Sequence, residues 1–123
     1  MPKTVAVIGA SNVRSKFGNK AVRAFHQQGY TVVPINPHEE RVEGLQAYPS
    51  VLQVPHGIDM ATFYVPPEIG LEVIDDIAAK GIAEVWFNPG SESPALIARA
   101  EALGLSPIQA CSILGIGVSP GAF

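Results

Sequence analysis

The residues best suited to chemistry in this chain follow a β-branched apolar run: Gly9-Ala10-Ser11, then Arg14, Lys16, Phe17 and Gly18. Small residues after a buried strand let the backbone approach a ligand closely. The helix that follows aims its unpaired N–H groups and positive dipole end at the same place. An anionic, nucleotide-like ligand is the chemistry this pattern serves. It departs from the dinucleotide fingerprint, however. A second glycine would be needed where Ser11 stands, Asn12 to Lys16 lengthen the loop before Gly18, and Ile35-Asn36-Pro37-His38 offers no acidic residue for a ribose diol. Arg14 and Lys16, with His38 and Arg41 beyond the second strand, instead suit a ligand with an additional phosphate. Each of these cations taken alone is more often a solvated surface charge.

Other reactive residue types are sparse. Cys111 is the single cysteine, so no internal disulfide can form, and no Cys/His cluster has zinc-like spacing. Without a neighbouring His or Lys to favour its thiolate, Cys111 reads first as a small buried hydrophobe. His26, His38 and His56 lack a carboxylate at telling spacing, so no acid/base pair is assigned. Asp75-Asp76 and Glu39-Glu40 read as solvated faces, and Trp86 as a residue packed under a helix rather than a stacking platform.

The elements that must position the first loop are legible from periodicity. Thr4 to Ile8 reads as a central parallel strand. Ala21, Val22 and Phe25 then recur at helical spacing, Gly29 stops that helix, and Tyr30 to Ile35 makes a second strand. His38 to Pro55 reads as a loop-rich crossover, with Ser50 capping a short helix. A third strand is expected from about Ile58 to Val65, followed by a helix opened by Pro66-Pro67 with an inner stripe of Ile69, Val73, Ile74 and Ile77. Ala83 to Phe87 is the fourth strand, and Ser93-Pro94 starts a helix with Leu96, Ile97, Ala100 and Leu103 facing the sheet. Pro107 to Cys111 makes a fifth strand, and Ile113 to Val118 is either a short edge strand or a packed terminal segment. The expected architecture is α/β: one Rossmann-like, doubly wound, mostly parallel sheet of about five strands with helices on both faces. Gly9-Ala10-Ser11, Asn36-Pro37, Val65-Pro66-Pro67 and Asn88-Pro89-Gly90 then gather on one rim, where such folds bind ligands.

Composition narrows the function classes. The chain has 123 residues, the usual size of one domain, with 47% hydrophobic and 15% charged residues, which argues against disorder. A formal net charge of −3 gives no general attraction to nucleic acid. Met1-Pro2-Lys3-Thr4 leads straight into a strand without a long apolar run, so neither a membrane partner nor a secretory leader is expected, and a cytoplasmic location is.

Taken in order, Val5-Ala6-Val7-Ile8-Gly9-Ala10-Ser11, Gly18, Gly29-Tyr30-Thr31-Val32-Val33-Pro34-Ile35-Asn36-Pro37, Gly44, Ala47-Tyr48-Pro49-Ser50 and Tyr64-Val65-Pro66-Pro67-Glu68 carry a resemblance. The chain resembles the small stand-alone CoA-binding proteins, which are similar to the CoA-binding domain of the succinyl-CoA synthetase alpha subunit. The likeness covers nearly the whole chain and implies one CoA-binding domain over residues 1–123. It implies that Gly9, Ala10 and Ser11 with Lys16, Phe17 and Gly18 hold the CoA phosphates and that Asn36-Pro37 borders the adenosine. Val65, Pro66 and Pro67 would flank the adenine or ribose, and Asn88, Pro89 and Gly90 would line the pantetheine arm. It also places Cys111 where the CoA thiol could arrive, making a mixed disulfide conceivable. A lysine after the second strand belongs to the synthetase pattern. His38-Glu39-Glu40-Arg41 stands there instead, leaving the partner of the 3′-phosphate open among Arg14, Lys16, His38 and Arg41. The synthetase subunit continues into a second domain with a phosphorylated histidine that this sequence lacks, so acyl-CoA synthesis by this polypeptide alone is not expected.

The function expected is that of a sensing, carrier or accessory module for coenzyme A or an acyl-CoA, with a protein partner conceivable and the oligomeric state open. The alternatives are an NAD(P)-binding redox protein, or a CoA-ligase subunit needing a separate catalytic chain. A carboxylate placed at Gly18 or Ser11 is expected to abolish CoA binding with the fold intact.

Overall fold

The computed structural model describes residues 2–123. Five parallel strands form the sheet: β1 (Thr4–Ile8), β2 (Thr31–Ile35), β5 (Met60–Phe63), β6 (Glu84–Phe87) and β7 (Ser106–Gln109), in the spatial order β2-β1-β5-β6-β7. Chain order reverses between β1 and β5, which makes the carboxyl ends of these two strands the topological switch point. Strand β1 is central because Val5 to Ile8 are all buried. In register, Val5 pairs with Val32 of β2 and with Met60 of β5. The period-two alternation divides the core. Ala6 and Ile8 join Phe63, Ile74, Ile77, Phe87 and Leu96 on one face, while Val5 and Val7 join Ala21, Val22, Phe25, Met60 and Ile113 on the other.

Helix α1 (Phe17–Gln27) covers the second face, and α2 (Pro67–Lys80) and α3 (Pro94–Ala102) cover the first. Helix α3 opens as expected, with the Ser93 hydroxyl accepting from the Leu96 N–H at 3.1 Å and Pro94 in its first turn. Ser50 likewise caps a short 3₁₀ turn, Val51–Gln53, by accepting from the Leu52 N–H at 3.1 Å.

Two expectations need correction. Ile69 is 41% exposed rather than part of the inner stripe of α2. Gly70 faces inward instead, at a point where an added Cβ would lie 2.7 Å from Leu96 Cδ2. The buried stripe therefore runs Gly70, Ile74, Ile77, and the glycine sets the close α2–α3 contact. The crossover holds a hairpin, β3 (Arg41–Val42) with β4 (Leu45–Gln46). Its two turn residues, Glu43 (φ 50°) and Gly44 (φ 78°), both have positive φ, the backbone of a type I′ turn. Of the two readings of Ile113 to Val118, the packed terminal segment is the one observed: α4 (Ser112–Gly115) opens it, and the segment packs on α1 with the Gln28 side chain donating to the Ile116 carbonyl at 2.9 Å. Trp86 lies under α4, its ring against Gly115 and its Nε1 donating to Glu84 at 2.9 Å. At the open edge, Ser106 donates to Ala83 at 2.8 Å, so alternation turns the imino nitrogen of Pro107 outward, where no ladder bond is lost.

Candidate functional site

A cleft of about 520 Å³ opens at the carboxyl ends of the strands beside the switch point. Its walls are the start of α1 (Lys16, Phe17, Gly18), the end of β5 (Phe63, Tyr64, Val65, Pro66), the end of β6 (Asn88, Pro89, Gly90, Ser91) and Cys111 beyond β7. The size is that of a small-ligand site, and the lining is mostly apolar.

The first loop reaches this cleft by close packing of two glycines. Gly9 adopts φ +87°, and a Cβ there would stand 2.7 Å from Val65 Cγ1 and 2.8 Å from the Tyr64 carbonyl oxygen. A Cβ on Gly18 would fall inside the radius of the Gly9 carbonyl oxygen and 3.1 Å from its carbonyl carbon. Helix α1 thus begins directly on the loop because neither residue has a side chain. Gly18 is buried, so a glutamate there would break this packing rather than leave the fold intact.

The donors available to an anion differ from those expected. The N–H groups of Gly9 and Ala10 both donate to the Ile35 carbonyl, at 3.2 and 3.3 Å, and so hold the loop against β2. The Ala10 carbonyl accepts from Asn36 Nδ2 at 2.8 Å, and the Ser11 hydroxyl accepts from the Val13 N–H at 3.0 Å. Gly9 and Ala10 therefore use their N–H groups within the fold, the Ser11 N–H has no acceptor among the described residues, and none of the three lines the cleft. Helix α1 starts from Lys16, which supplies no side-chain cap. The N–H groups of Phe17 and Gly18 consequently have no acceptor among the described residues, and both residues line the cleft with Lys16.

The remaining expected cations lie elsewhere. Arg14 approaches Glu43 at 3.5 Å and does not line the cleft. Pro37, His38 and Arg41 border a second depression of about 530 Å³, together with Glu39 and Glu40, whose carboxylates offset the two basic side chains. Asn36 turns inward onto Ala10, and its Oδ1 accepts from the His38 N–H at 2.7 Å. Pro67 sits in the first turn of α2, outside the cleft.

Beneath the cleft lies a buried polar network. Asn88 Nδ2 donates to Thr62 Oγ1 at 2.7 Å and to the Phe63 carbonyl at 2.8 Å, and its Oδ1 accepts from the Ser112 N–H at 2.8 Å. Ser112 Oγ lies 2.7 Å from Thr62 Oγ1 and 3.0 Å from the Tyr64 hydroxyl. Asn88 therefore contributes backbone to the cleft while its amide ties β5, β6 and α4 together. Burial pushes the Tyr64 hydroxyl up to about 12, against the opposing effect of its hydrogen bonds to Ser112 and Thr62. Cys111 is half-buried in the cleft wall at the start of α4, with its thiol unpaired in any disulfide.

Sequence reasoning missed Phe63, Tyr64 and Ser91 in the walls and Thr62 and Ser112 in the floor, although Phe63-Tyr64 directly precede the singled-out Val65-Pro66. It also missed Asn12 and Asn19. Asn12 Nδ2 donates to Glu39 Oε2 and to the Arg41 carbonyl, both at 2.8 Å. Fully buried Asn19 donates to the Ser11 carbonyl at 2.8 Å and to Glu43 at 2.9 Å. Together they bracket the first loop to the hairpin. Among the described residues, no group of three or more His, Cys, Asp or Glu side chains could hold a metal ion, and no helix is long and apolar enough to cross a membrane.

The chain is similar to known proteins in sequence and in fold. Acetate–CoA ligase [ADP-forming] II of Archaeoglobus fulgidus is 42% identical over 83 residues, covering 66% of this chain and 12% of that protein. The alpha subunit of acetate–CoA ligase [ADP-forming] II of Pyrococcus furiosus is 36% identical over 85 residues, covering 68% of this chain and 19% of the subunit. The chain thus spans between 12% and 19% of the length of these relatives. Among solved structures, a conserved hypothetical protein from Pyrococcus furiosus superposes with a TM-score of 0.84 at 31% identity, over 94% of this chain and 99% of that one. The dinucleotide-forming acetyl-coenzyme A synthetase 1 of Ca. Korarchaeum cryptofilum, solved with phosphate and ADP, superposes with a TM-score of 0.78 at 33% identity, over 89% of this chain and 26% of that one. The profile of the CoA binding domain family matches residues 3–116, and with relatives of this kind the chain belongs to that family, in its succinyl-CoA synthetase-like branch.

Proposed function

We propose that this protein binds coenzyme A or an acyl-CoA in the cleft beside the switch point, and that residues 1–123 act as one CoA-binding domain. The observation that carries this reading is the start of α1, where Phe17 and Gly18, whose N–H groups have no acceptor among the described residues, line an apolar cleft together with Lys16. In this proposal the diphosphate sits on those two amides with Lys16 beside it, where hydrogen bonds and helix dipole act together. The pantetheine arm crosses Val65, Pro66 and Pro89 toward Cys111. The adenosine end passes over Asn36-Pro37 toward the second depression, whose basic residues His38 and Arg41 would meet a 3′-phosphate. A nicotinamide dinucleotide fits less well, because Asn36 at the end of β2 already serves Ala10 and His38 and carries no charge for a ribose diol.

Coenzyme A held this way serves a sensing, carrier or accessory role. The curated relatives favour a second, compatible reading, in which this domain presents CoA to the catalytic portion of a ligase carried by a partner chain. Calorimetric titration with CoA, 3′-dephospho-CoA and NAD tests the proposal. Saturable binding of CoA at one site, weakened for 3′-dephospho-CoA and absent for NAD, is the expected result. Binding of NAD without CoA would overturn it.

A further inference from the structure

The charges around the cleft are distributed unevenly. Lys16, at the start of α1, is the only cationic side chain among its lining residues. At the opposite end, below β6 and β7, the polar groups are already engaged: the Asn88 amide holds Thr62, Phe63 and Ser112, and the Ser91 hydroxyl donates to the Asn88 carbonyl at 2.8 Å. The Gly90 N–H, which could otherwise receive an anion, donates to Glu92 Oε2 at 3.1 Å. The Glu92 carboxylate therefore stands against the backbone of Gly90, a residue of the cleft wall, although Glu92 itself does not line the cleft. Lys16 follows β1 through the first loop and Gly90 follows β6, and these strands are two sheet positions apart, on the order of 10 Å.

We infer that the cleft selects CoA thioesters with an uncharged acyl group and rejects dicarboxylic acyl groups. The inference rests on the CoA reading above, with the diphosphate at α1 and the thiol end toward Cys111. A terminal carboxylate on the acyl chain would leave water for a mostly apolar wall, find the Asn88 amide, the Ser91 hydroxyl and the Gly90 N–H already engaged, and approach the Glu92 carboxylate. Desolvation and like-charge repulsion then act in the same direction. A neutral acyl chain of the same length loses nothing there and gains contact with Pro89 and the Tyr64 ring.

Butyryl-CoA and succinyl-CoA have equally long acyl chains that differ in the terminal carboxylate, so calorimetric titration of both, alongside CoA itself, reads the inference directly. Butyryl-CoA is expected to bind at least as tightly as CoA, and succinyl-CoA about tenfold more weakly or worse. Glu92→Gln keeps an acceptor for the Gly90 N–H while removing the charge. It should narrow the gap by about threefold through succinyl-CoA alone, the scale of a partly screened charge pair. Succinyl-CoA binding within twofold of butyryl-CoA, with CoA binding intact, would overturn the selectivity and spare the CoA reading. A Glu92→Gln protein with an unchanged ratio would overturn the part assigned to Glu92, and failure of all three ligands to bind would overturn both.

Discussion

Replacing Gly18 by alanine tests how the site is built. The added methyl would meet the Gly9 carbonyl oxygen and lie 3.1 Å from the Gly9 carbonyl carbon and 3.5 Å from Ala10 Cα, all backbone atoms. Gly9 cannot retreat, because its N–H is held by Ile35 and its Cα is already packed on Val65 and the Tyr64 carbonyl. Overpacking of this kind costs about 1–3 kcal/mol, and a contact with pinned backbone belongs in the upper half of that range. The better helix propensity of alanine returns at most about 1 kcal/mol, so the net loss is about 1–2 kcal/mol. A domain of ordinary stability survives this, and the consequence for the ligand can be measured. The first turn of α1 must shift, taking the Phe17 and Gly18 amides with it. Loss of a charge-assisted hydrogen bond, worth about 1.5–3 kcal/mol, then weakens CoA by tenfold or more. Gly57→Ala is the control: nothing lies within 4 Å of its added Cβ and its φ is not positive, so stability should hold or rise by about 0.4–1 kcal/mol. Urea unfolding and calorimetry on both variants give the answer. A Gly18→Ala protein as stable as Gly57→Ala, binding CoA within twofold of the parent, would refute the close-packing account.

Asn88→Ala takes a hydrogen-bond partner from the Phe63 carbonyl and from the Ser112 N–H in a buried site, at about 1–3 kcal/mol for each unsatisfied group, so stability should fall by about 2–6 kcal/mol, read as a lower urea midpoint. Tyr64 makes stability fall in alkali: its hydroxyl titrates at about 12 folded against 10.0 unfolded, so its contribution is complete below pH 10 and lost as pH rises toward 12. Integrated over that window the loss is about 2–3 kcal/mol. Unfolding measured across it should show this slope in the parent and a flatter one in Tyr64→Phe. Lys16→Ala should weaken CoA about tenfold at low salt and less at high salt, whereas Arg14→Ala, whose partner is Glu43, should change affinity less than threefold; equal effects would place the diphosphate elsewhere.

How much of this was legible in the sequence varies with the kind of interaction. Strand β1 could be read because burial on both faces demands an unbroken apolar run, and the rim of strand-end loops followed from the alternation of elements. The hairpin could not: two-residue strands carry no periodicity, and Glu43 in a left-handed conformation is held by Asn12 and Asn19, contacts of 31 and 24 residues' separation. Ile69 was misplaced because Gly70 has no hydrophobicity to announce that it faces Leu96. At the site, glycine spacing indicated a close approach to a ligand, whereas part of that approach is internal: Gly9 lies against Tyr64, and Gly18 against Gly9. Which amides remain available depended on the Ile35 carbonyl, a partner that local sequence does not reveal.

Amide chemical shifts of isotope-labelled protein during titration with coenzyme A test the central claim most directly. The Phe17 and Gly18 resonances should move farthest and saturate at one equivalent, while those of Gly9 and Ala10, whose N–H groups stay on Ile35, move little. Saturable binding that leaves Phe17 and Gly18 unmoved would contradict the account.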